Sequence, residues 1–227
     1  MFSVSVKWGM DLYRYDIEGR LSEITGKLYN EISGEKVGTE GIQMEYDQRG
    51  NLIKTSSGNK VLSQYTFDAA NRMVSAVNNS GTTSFTYDGL GRRVSMESTD
   101  KNIPNGNAYG WWKNGKHSVG LEYVLDITAP YNDVLMIYGN DGKTQEYTYG
   151  LEVLSVDAKE NKKSDRLYYL QDELGSPIRL VDEKGKTAEA FSYDEFGRLL
   201  NKSSKTGNIF SFTGYQYDAS TGLMGCI

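Results

Sequence analysis

A short motif that recurs five times constrains the fold of this 227-residue chain more than any other feature. Each copy has an aromatic residue, an aspartate, two variable residues and then a glycine or an asparagine. The copies read YDIEGRL, YDQRGNL, FDAANRM, YDGLGRRV and YDEFGRL, and they begin at residues 15, 46, 67, 87 and 193. Such a repeat predicts one small supersecondary unit that is stacked several times, because a single unit cannot bury its apolar face alone.

The best-preserved copy, in residues 80–97, predicts a β-hairpin. Before the turn, Thr83, Phe85 and Tyr87 occupy alternate positions, and this period of two is typical of a β-strand. Asp88 and Gly91 stand three residues apart, which favours a type I turn whose aspartate side chain accepts hydrogen bonds from backbone amides. Gly91 is predicted to take a positive φ, because a residue without a Cβ adopts that conformation freely.

The same reasoning assigns a structural turn role to the matching residues of every copy. Asn71 replaces the glycine in the third copy, and asparagine is the next most tolerant residue of a positive φ. The predicted turn residues are Tyr15, Asp16, Gly19, Tyr46, Asp47, Gly50, Phe67, Asp68, Asn71, Tyr87, Asp88, Gly91, Tyr193, Asp194 and Gly197.

A second series of turns rich in Gly and Asn lies between these copies, for example SSGN at 56–59 and NNSG at 78–81. Around the best-preserved copies the turn positions 71, 81 and 91 are ten residues apart, so each unit is a hairpin. The 17 Tyr and 25 Gly residues, against only 3 Pro, also favour a turn-rich β protein. We therefore predict an all-β fold in which antiparallel hairpins form a meandering, curved sheet.

The residues give little support to catalysis or to metal and cofactor binding. A net charge of −5 provides no basic field for nucleic acid. His117 is the only histidine and Cys226 the only cysteine, which leaves no internal disulfide and no multi-cysteine metal site. Each turn aspartate is expected to cap its own turn, and no glycine motif for phosphate or dinucleotide binding is present. The sequence therefore predicts a protein that is not an enzyme and has no catalytic residues, metal or cofactor.

Trp111 and Trp112 are the best candidates for a ligand-contact surface. They lie in a polar, glycine-rich segment near Tyr109 and Tyr123, and exposed aromatic side chains of this kind stack on sugars or anchor a partner protein. Because successive residues of a strand point to opposite faces, the simpler interpretation is that one tryptophan packs in the sheet. A carbohydrate- or protein-binding surface module is thus the alternative to a purely structural role.

The repeated motif resembles that of the RHS and YD-repeat family, which includes bacterial RHS polymorphic toxins, wall-associated proteins and teneurins. The segments YYLQDELGSPIRLVDEKGKTAEAFSYDEFGRLL, at 168–200, and FTGYQYDASTGL, at 212–223, are similar to the family's core-associated segment in content and order. The resemblance extends over about residues 10–223. It implies that the sheet is part of a hollow β-shell, which in family members encloses or displays a C-terminal toxin.

The resemblance also implies how the chain is organised. One continuous repeat domain would contain tandem YD repeats at 1–97, diverged repeats with an insertion at 98–167 and the core-associated segment at 168–227. Because the chain ends in MGCI after TGL, we expect a shell fragment truncated before the family's cleavage motif and effector, and no cleavage aspartates are assigned.

The expected partners are the rest of the shell and an enclosed effector, with glycans or a cell-surface protein as alternatives. Neither nucleic acid nor a membrane span is expected. No signal peptide is visible in the N-terminal residues, yet the resemblance implies a secreted or cell-surface location.

Overall fold

The computed structural model describes residues 12–29, 36–79, 81–99, 119–129, 133–160, 163–193, 197, 199–200, 206–218 and 223–225. The chain divides into two compact units, Met1–Asn79 and Ser80–Ile227. Apart from a short 3₁₀ turn at Phe212–Gly214, every regular element in the described residues is a β-strand. The predicted all-β fold is confirmed.

In the first unit the described residues form six strands, each paired antiparallel with the next. They are β1 (Leu12–Tyr15), β2 (Leu21–Tyr29), β3 (Lys36–Tyr46), β4 (Leu52–Ser57), β5 (Lys60–Phe67) and β6 (Met73–Asn78). This order follows from the short connections, because a tight turn brings each strand back beside the one before it.

The described residues of the second unit form nine strands in the same neighbour-to-neighbour order, and then a separate hairpin. The nine are β7 (Thr82–Tyr87), β8 (Arg93–Ser98), β9 (Val119–Asp126), β10 (Asp133–Gly139), β11 (Thr144–Tyr149), β12 (Val153–Glu160), β13 (Lys163–Gln171), β14 (Pro177–Val181) and β15 (Thr187–Ala190). The hairpin is formed by β16 (Gln216–Asp218) and β17 (Leu223–Gly225). The predicted meander of antiparallel hairpins is confirmed, whereas the three sections 1–97, 98–167 and 168–227 stay a prediction.

In the second unit, side chains alternate between a buried face and an exposed face of the sheet. None of the following residues, which form much of the buried face, is more than 6% exposed: Phe85, Met96, Leu121, Ile137 and Tyr147. Their neighbours Ser84, Glu97 and Glu122 are exposed. Since a fully buried apolar side chain stabilises a fold by about 1.5–3 kcal/mol, the core of this unit lies along the buried face.

After β15 the chain leaves the sheet and returns across the buried face. We call residues 206–218 the strap. Ile209 and Phe210 of the strap are 3% and 7% exposed. The strap thus supplies the second layer that a sheet with one apolar face requires.

Candidate functional site

The turn at Asp88 shows how the repeated motif closes a hairpin. Asp88 Oδ1 accepts hydrogen bonds from the backbone N–H groups of Leu90 (2.9 Å) and Arg92 (3.0 Å), and Asp88 Oδ2 accepts one from Arg92 Nε (2.6 Å). The Gly91 N–H donates to the Asp88 carbonyl oxygen at 3.0 Å, and Gly91 has φ 85°. The register shifts just before Tyr87, which marks a β-bulge next to the turn.

The other described copies of the motif have the same geometry. Asp16 and Asp68 accept hydrogen bonds from the backbone and side chain of Arg20 and Arg72. In the copy at Asp47 the residue four positions later is an asparagine, which makes the equivalent contacts. Positive φ values of 79°, 87°, 68° and 80° occur at the described positions Gly19, Gly50, Asn71 and Gly197.

Hydrogen bonding within the turn keeps these carboxylates ionised. The side-chain hydrogen bond from Arg92 lowers the pKa of Asp88, and that from Arg72 lowers the pKa of Asp68. In Asp47 the side-chain hydrogen bond from Asn51 is the main cause of a lowered pKa. A carboxylate that stays ionised and bonded to its own turn is poorly suited to donate a proton in catalysis.

At several places in the sheet a tyrosine hydroxyl joins a hairpin to the strand before it. Tyr46 donates its hydroxyl hydrogen to the Leu21 carbonyl oxygen at 2.7 Å. Further along the chain the same kind of bond links Tyr149 with Val134 (2.9 Å) and Tyr193 with Pro177 (3.0 Å). Burial raises the pKa of Tyr193 to about 12, so its hydroxyl stays protonated as a donor.

Neighbouring turns of the first unit also contact one another directly. Arg49 Nη1 donates to the carbonyl oxygens of Asp68 (3.2 Å) and Ala69 (3.3 Å). Asn51 Nδ2 donates to Asn71 Oδ1 at 2.5 Å. The turns at Asp47 and Asp68 are therefore connected to each other rather than being independent loops.

The strap packs an aromatic ring against three tyrosines of the sheet. The ring of Phe210 meets those of Tyr147, Tyr149 and Tyr169 edge to face, with centroid distances of 5.4, 6.5 and 5.8 Å. Such pairs contribute about 0.5–1.5 kcal/mol each beyond the area that they bury. Phe210 is thus the main apolar anchor of the strap.

Polar atoms of the strap are paired with polar atoms of the buried face. Asn208 Oδ1 accepts a hydrogen bond from the Tyr169 hydroxyl at 3.0 Å. Gln145, which is 1% exposed, donates from Nε2 to the Gly207 carbonyl oxygen (3.2 Å) and accepts from the Tyr147 hydroxyl (2.8 Å). Because an unpaired buried amide is costly, these partners specify the position of the strap as well as stabilise it.

Two further contacts hold the C-terminal half of the strap. Asp218 forms an ion pair with Arg93 at 3.2 Å, and the guanidinium of Arg93 lies 5.0 Å from the centroid of Phe85. Phe212 lies so close to Gly197 that a Cβ added to the glycine would be 2.7 Å from Phe212 Cδ1. The glycine is therefore needed for a close approach as well as for its positive φ.

One turn with the same hydrogen-bond pattern was not predicted from the sequence. Asp172 Oδ1 accepts hydrogen bonds from the N–H groups of Leu174 (2.9 Å) and Ser176 (2.8 Å), and Gly175 has φ 82°. The residue before Asp172 is Gln171 rather than an aromatic residue. The spacing of Asp and Gly alone would have found it.

Three predicted site residues lie outside the described residues: Trp111, Trp112 and Asp194. His117 and Cys226, for which no catalytic or metal-binding role was predicted, lie outside them too. Within the described part, no group of three or more His, Cys, Asp or Glu side chains could hold a metal ion. The described residues also contain no helix long and apolar enough to cross a membrane.

Comparison with known proteins agrees with the observed architecture. The family model described as Teneurin YD-shell matches residues 4–226. The chain is 30% identical over 196 residues to the tRNA3(Ser)-specific nuclease WapA of Bacillus spizizenii, an alignment that covers 83% of this chain and 7% of that protein. It is 25% identical over 206 residues to the double-stranded DNA deaminase toxin A of Burkholderia cenocepacia, covering 81% and 14%. Identity with human teneurin-4 is 24% over 215 residues, covering 93% and 6%.

The chain therefore spans only a small part, 14% or less, of each of these relatives. The activities in their names belong to much longer proteins. The family model, in contrast, matches nearly the whole chain. This protein is a member of the teneurin YD-shell family.

Proposed function

We propose that this chain is a non-catalytic wall segment of a YD-shell, and that the wall encloses or displays an effector within a longer protein. Membership of the family supports the structural role. The observation that carries the proposal is the way in which successive hairpins are tied together, by strand pairing such as that of β2 with β3 and by tyrosine bonds such as that from Tyr46 to Leu21. A wall needs this continuity, because a single hairpin is marginal alone.

The turn residues contribute to the wall rather than to chemistry in this proposal. Asp16, Asp47, Asp68 and Asp88 each direct both carboxylate oxygens at residues of their own turn. A reacting group would instead need a free lone pair or an exchangeable proton facing a substrate. We assign the same structural role to Asp194.

A chimaera tests whether the wall encloses an effector. In the Burkholderia cenocepacia deaminase toxin A, the 206 matching residues are replaced by the corresponding part of this chain. We expect the deaminase region to resist an added protease as well as it does in the unaltered relative. A chimaera that folds cooperatively but leaves that region as cleavable as the isolated deaminase would contradict the enclosing role.

The matched control for this chimaera weakens the wall without altering the effector. Phe210→Ala in the inserted segment removes the ring that anchors the strap. The deaminase region should then be cleaved faster, while its sequence and intrinsic activity are unchanged. Equal cleavage rates with and without the substitution would show that protection of the deaminase region does not depend on an intact wall.

A secreted or cell-surface location is part of the same proposal. Brief protease treatment of intact source cells, followed by immunoblotting for this chain, tests it. Loss of the signal from intact cells, or its presence in the medium, is the expected result. A signal that disappears only after lysis would place the chain inside the cell.

A further inference from the structure

A depression of about 500 Å³ lies on the exposed face of the second unit, among β7, β8, β9 and the end of β10. Small-molecule sites have volumes of roughly 300–1,000 Å³, so the depression is large enough for one or two sugar rings. The described contacts of the strap lie on the opposite, buried face of the sheet.

Small residues form the floor of the depression. Glu97 on β8 is paired with Ser84 on one side and with Gly120 on the other. Gly120 has no side chain, and a Cβ built there would be 3.3 Å from Asn140 Nδ2. The Asn140 amide therefore occupies space that any other residue at position 120 would fill.

Two carboxylates and an aromatic ring form the rim. Glu122 on β9 lies directly opposite Tyr138 on β10, and it is diagonal to Glu97 across the β8–β9 pair. Diagonal neighbours in a sheet are about 7–8 Å apart, which leaves room for a ligand group between the two carboxylates. Glu97 and Glu122 are exposed, as is Tyr138, at 44%.

The charged side chains among the described lining residues are all negative. Among the described residues that line the depression there are two glutamates and neither lysine nor arginine. Thr82, Ser95 and Thr99 add hydroxyl groups, which both donate and accept hydrogen bonds. A phosphate, a sulfate or a uronic acid would meet like charge here, whereas a ligand with an ammonium group and several hydroxyls would be complemented.

We propose that this depression binds a short saccharide of amino sugars. The C–H face of a pyranose ring packs on Tyr138, and the ammonium group pairs with Glu97 and Glu122. Sugar hydroxyls bond to the serine and threonine hydroxyls and to the Asn140 amide. The site does not depend on whether the wall encloses an effector, because it opens on the face away from the strap.

Isothermal titration calorimetry of the 227-residue chain tests the proposal with three probes. These are the linear tetramer of glucosamine, the tetramer of N-acetylglucosamine and spermidine, a polycation without a sugar ring. The glucosamine tetramer should bind most tightly. Acetylation removes the positive charge of the amino group, and spermidine has no sugar ring to pack on Tyr138.

Variants of the rim show whether binding occurs at this place. The double variant Glu97→Gln, Glu122→Gln should weaken binding of the glucosamine tetramer by about tenfold, since two exposed ion pairs are lost. Tyr138→Ala should weaken it to a similar extent, and Ser84→Trp should block it by filling the floor. Glu183→Gln and Tyr168→Ala are matched controls, because both residues are exposed and lie outside the depression. They should leave the affinity unchanged.

The proposal is overturned if none of the three probes binds saturably at millimolar concentration. It is also overturned if spermidine binds as tightly as the glucosamine tetramer and Tyr138→Ala has no effect, which would indicate simple charge attraction. Binding that survives all the rim variants would mean a different site. The altered side chains are exposed, so unchanged melting curves will distinguish loss of binding from loss of folding.

Discussion

The hydroxyl of Tyr46 donates to the Leu21 carbonyl oxygen at 2.7 Å, while the Arg20 guanidinium lies 4.8 Å from the centroid of the Tyr46 ring. One aromatic side chain thus contacts both the turn and the following strand of the preceding repeat. Arg20 is itself bonded to Asp16, so the two repeats share a continuous set of contacts. At this place the tyrosine of one copy joins two hairpins, and the aspartate of the copy before it closes its own turn.

Tyr46→Phe tests the hydroxyl contact by removing a single atom. We expect a loss of about 1 kcal/mol in the free energy of unfolding, the usual contribution of one hydrogen bond, because the Leu21 carbonyl loses its donor. Urea denaturation measures it. Tyr15→Phe is the control, since Tyr15 is 64% exposed. Equal effects at the two positions would show that the hydroxyl bond contributes nothing specific.

Gly197→Ala tests the close approach between the glycine and the strap. Both Gly197 (φ 80°) and Gly185 (φ 77°) have a positive φ, but an added Cβ contacts Phe212 at the first and nothing within 4 Å at the second. Both substitutions should cost about 1–2 kcal/mol for backbone strain, and Gly197→Ala should cost more because of the clash. Thermal melts of the two variants compare them. A Gly185→Ala variant that is equally destabilised would exclude a role for the Phe212 contact.

The turn carboxylates should make the free energy of unfolding depend on pH. The side-chain hydrogen bond from Arg92 places the pKa of Asp88 in the folded protein below its value in the unfolded chain. The stabilisation is therefore complete above the ordinary carboxyl pKa of about 4 and is lost as the pH falls through the lowered value. Arg92→Met should be less stable than the parent at pH 7, and the two should converge near pH 2.

Urea denaturation between pH 7 and pH 2 measures this difference. Arg179→Met is a suitable control, because Arg179 is exposed and lies on a strand outside the repeated turns. The control should follow the parent at every pH. A gap between parent and Arg92→Met that stays constant down to pH 2 would refute the assigned ion pair.

Phe210→Ala removes the apolar anchor of the strap. Phe210 is 7% exposed and contacts three tyrosine rings, so the substitution should cost about 3–5 kcal/mol, as for other buried aromatic residues. Leu151→Ala, at a position that is fully exposed, should cost almost nothing. Denaturant unfolding compares them, and a hydrophobic dye should bind the Phe210 variant more strongly. Indistinguishable unfolding curves would show that the strap does not stabilise the sheet.

Local chemistry explains why the fold class could be predicted. The alternation of Thr83, Phe85 and Tyr87 predicts an extended strand. The spacing of Asp88 and Gly91 favours a turn that reverses the direction of the chain within a few residues. These signals act over short distances and are visible in the sequence. The all-β meander and the family were both predicted and are confirmed.

The strap and the depression depend on contacts between distant residues and were not predicted. Asn208 is positioned by Tyr169, and Asp218 by Arg93, partners that lie 39 and 125 residues away in the chain. No periodic pattern in the sequence indicates such long-range pairs. Likewise, Glu97, Glu122 and Tyr138 come together only through the register of three adjacent strands.

The tyrosine bonds between hairpins also have a direction. Tyr46, Tyr149 and Tyr193 all donate to a carbonyl group that precedes them in the chain. A polypeptide that emerges from a ribosome or an export channel N-terminus first can therefore dock each hairpin as soon as its tyrosine appears, without waiting for later sequence. The strap, in contrast, reaches back as far as Arg93, so this contact forms only after the strands between them have been made.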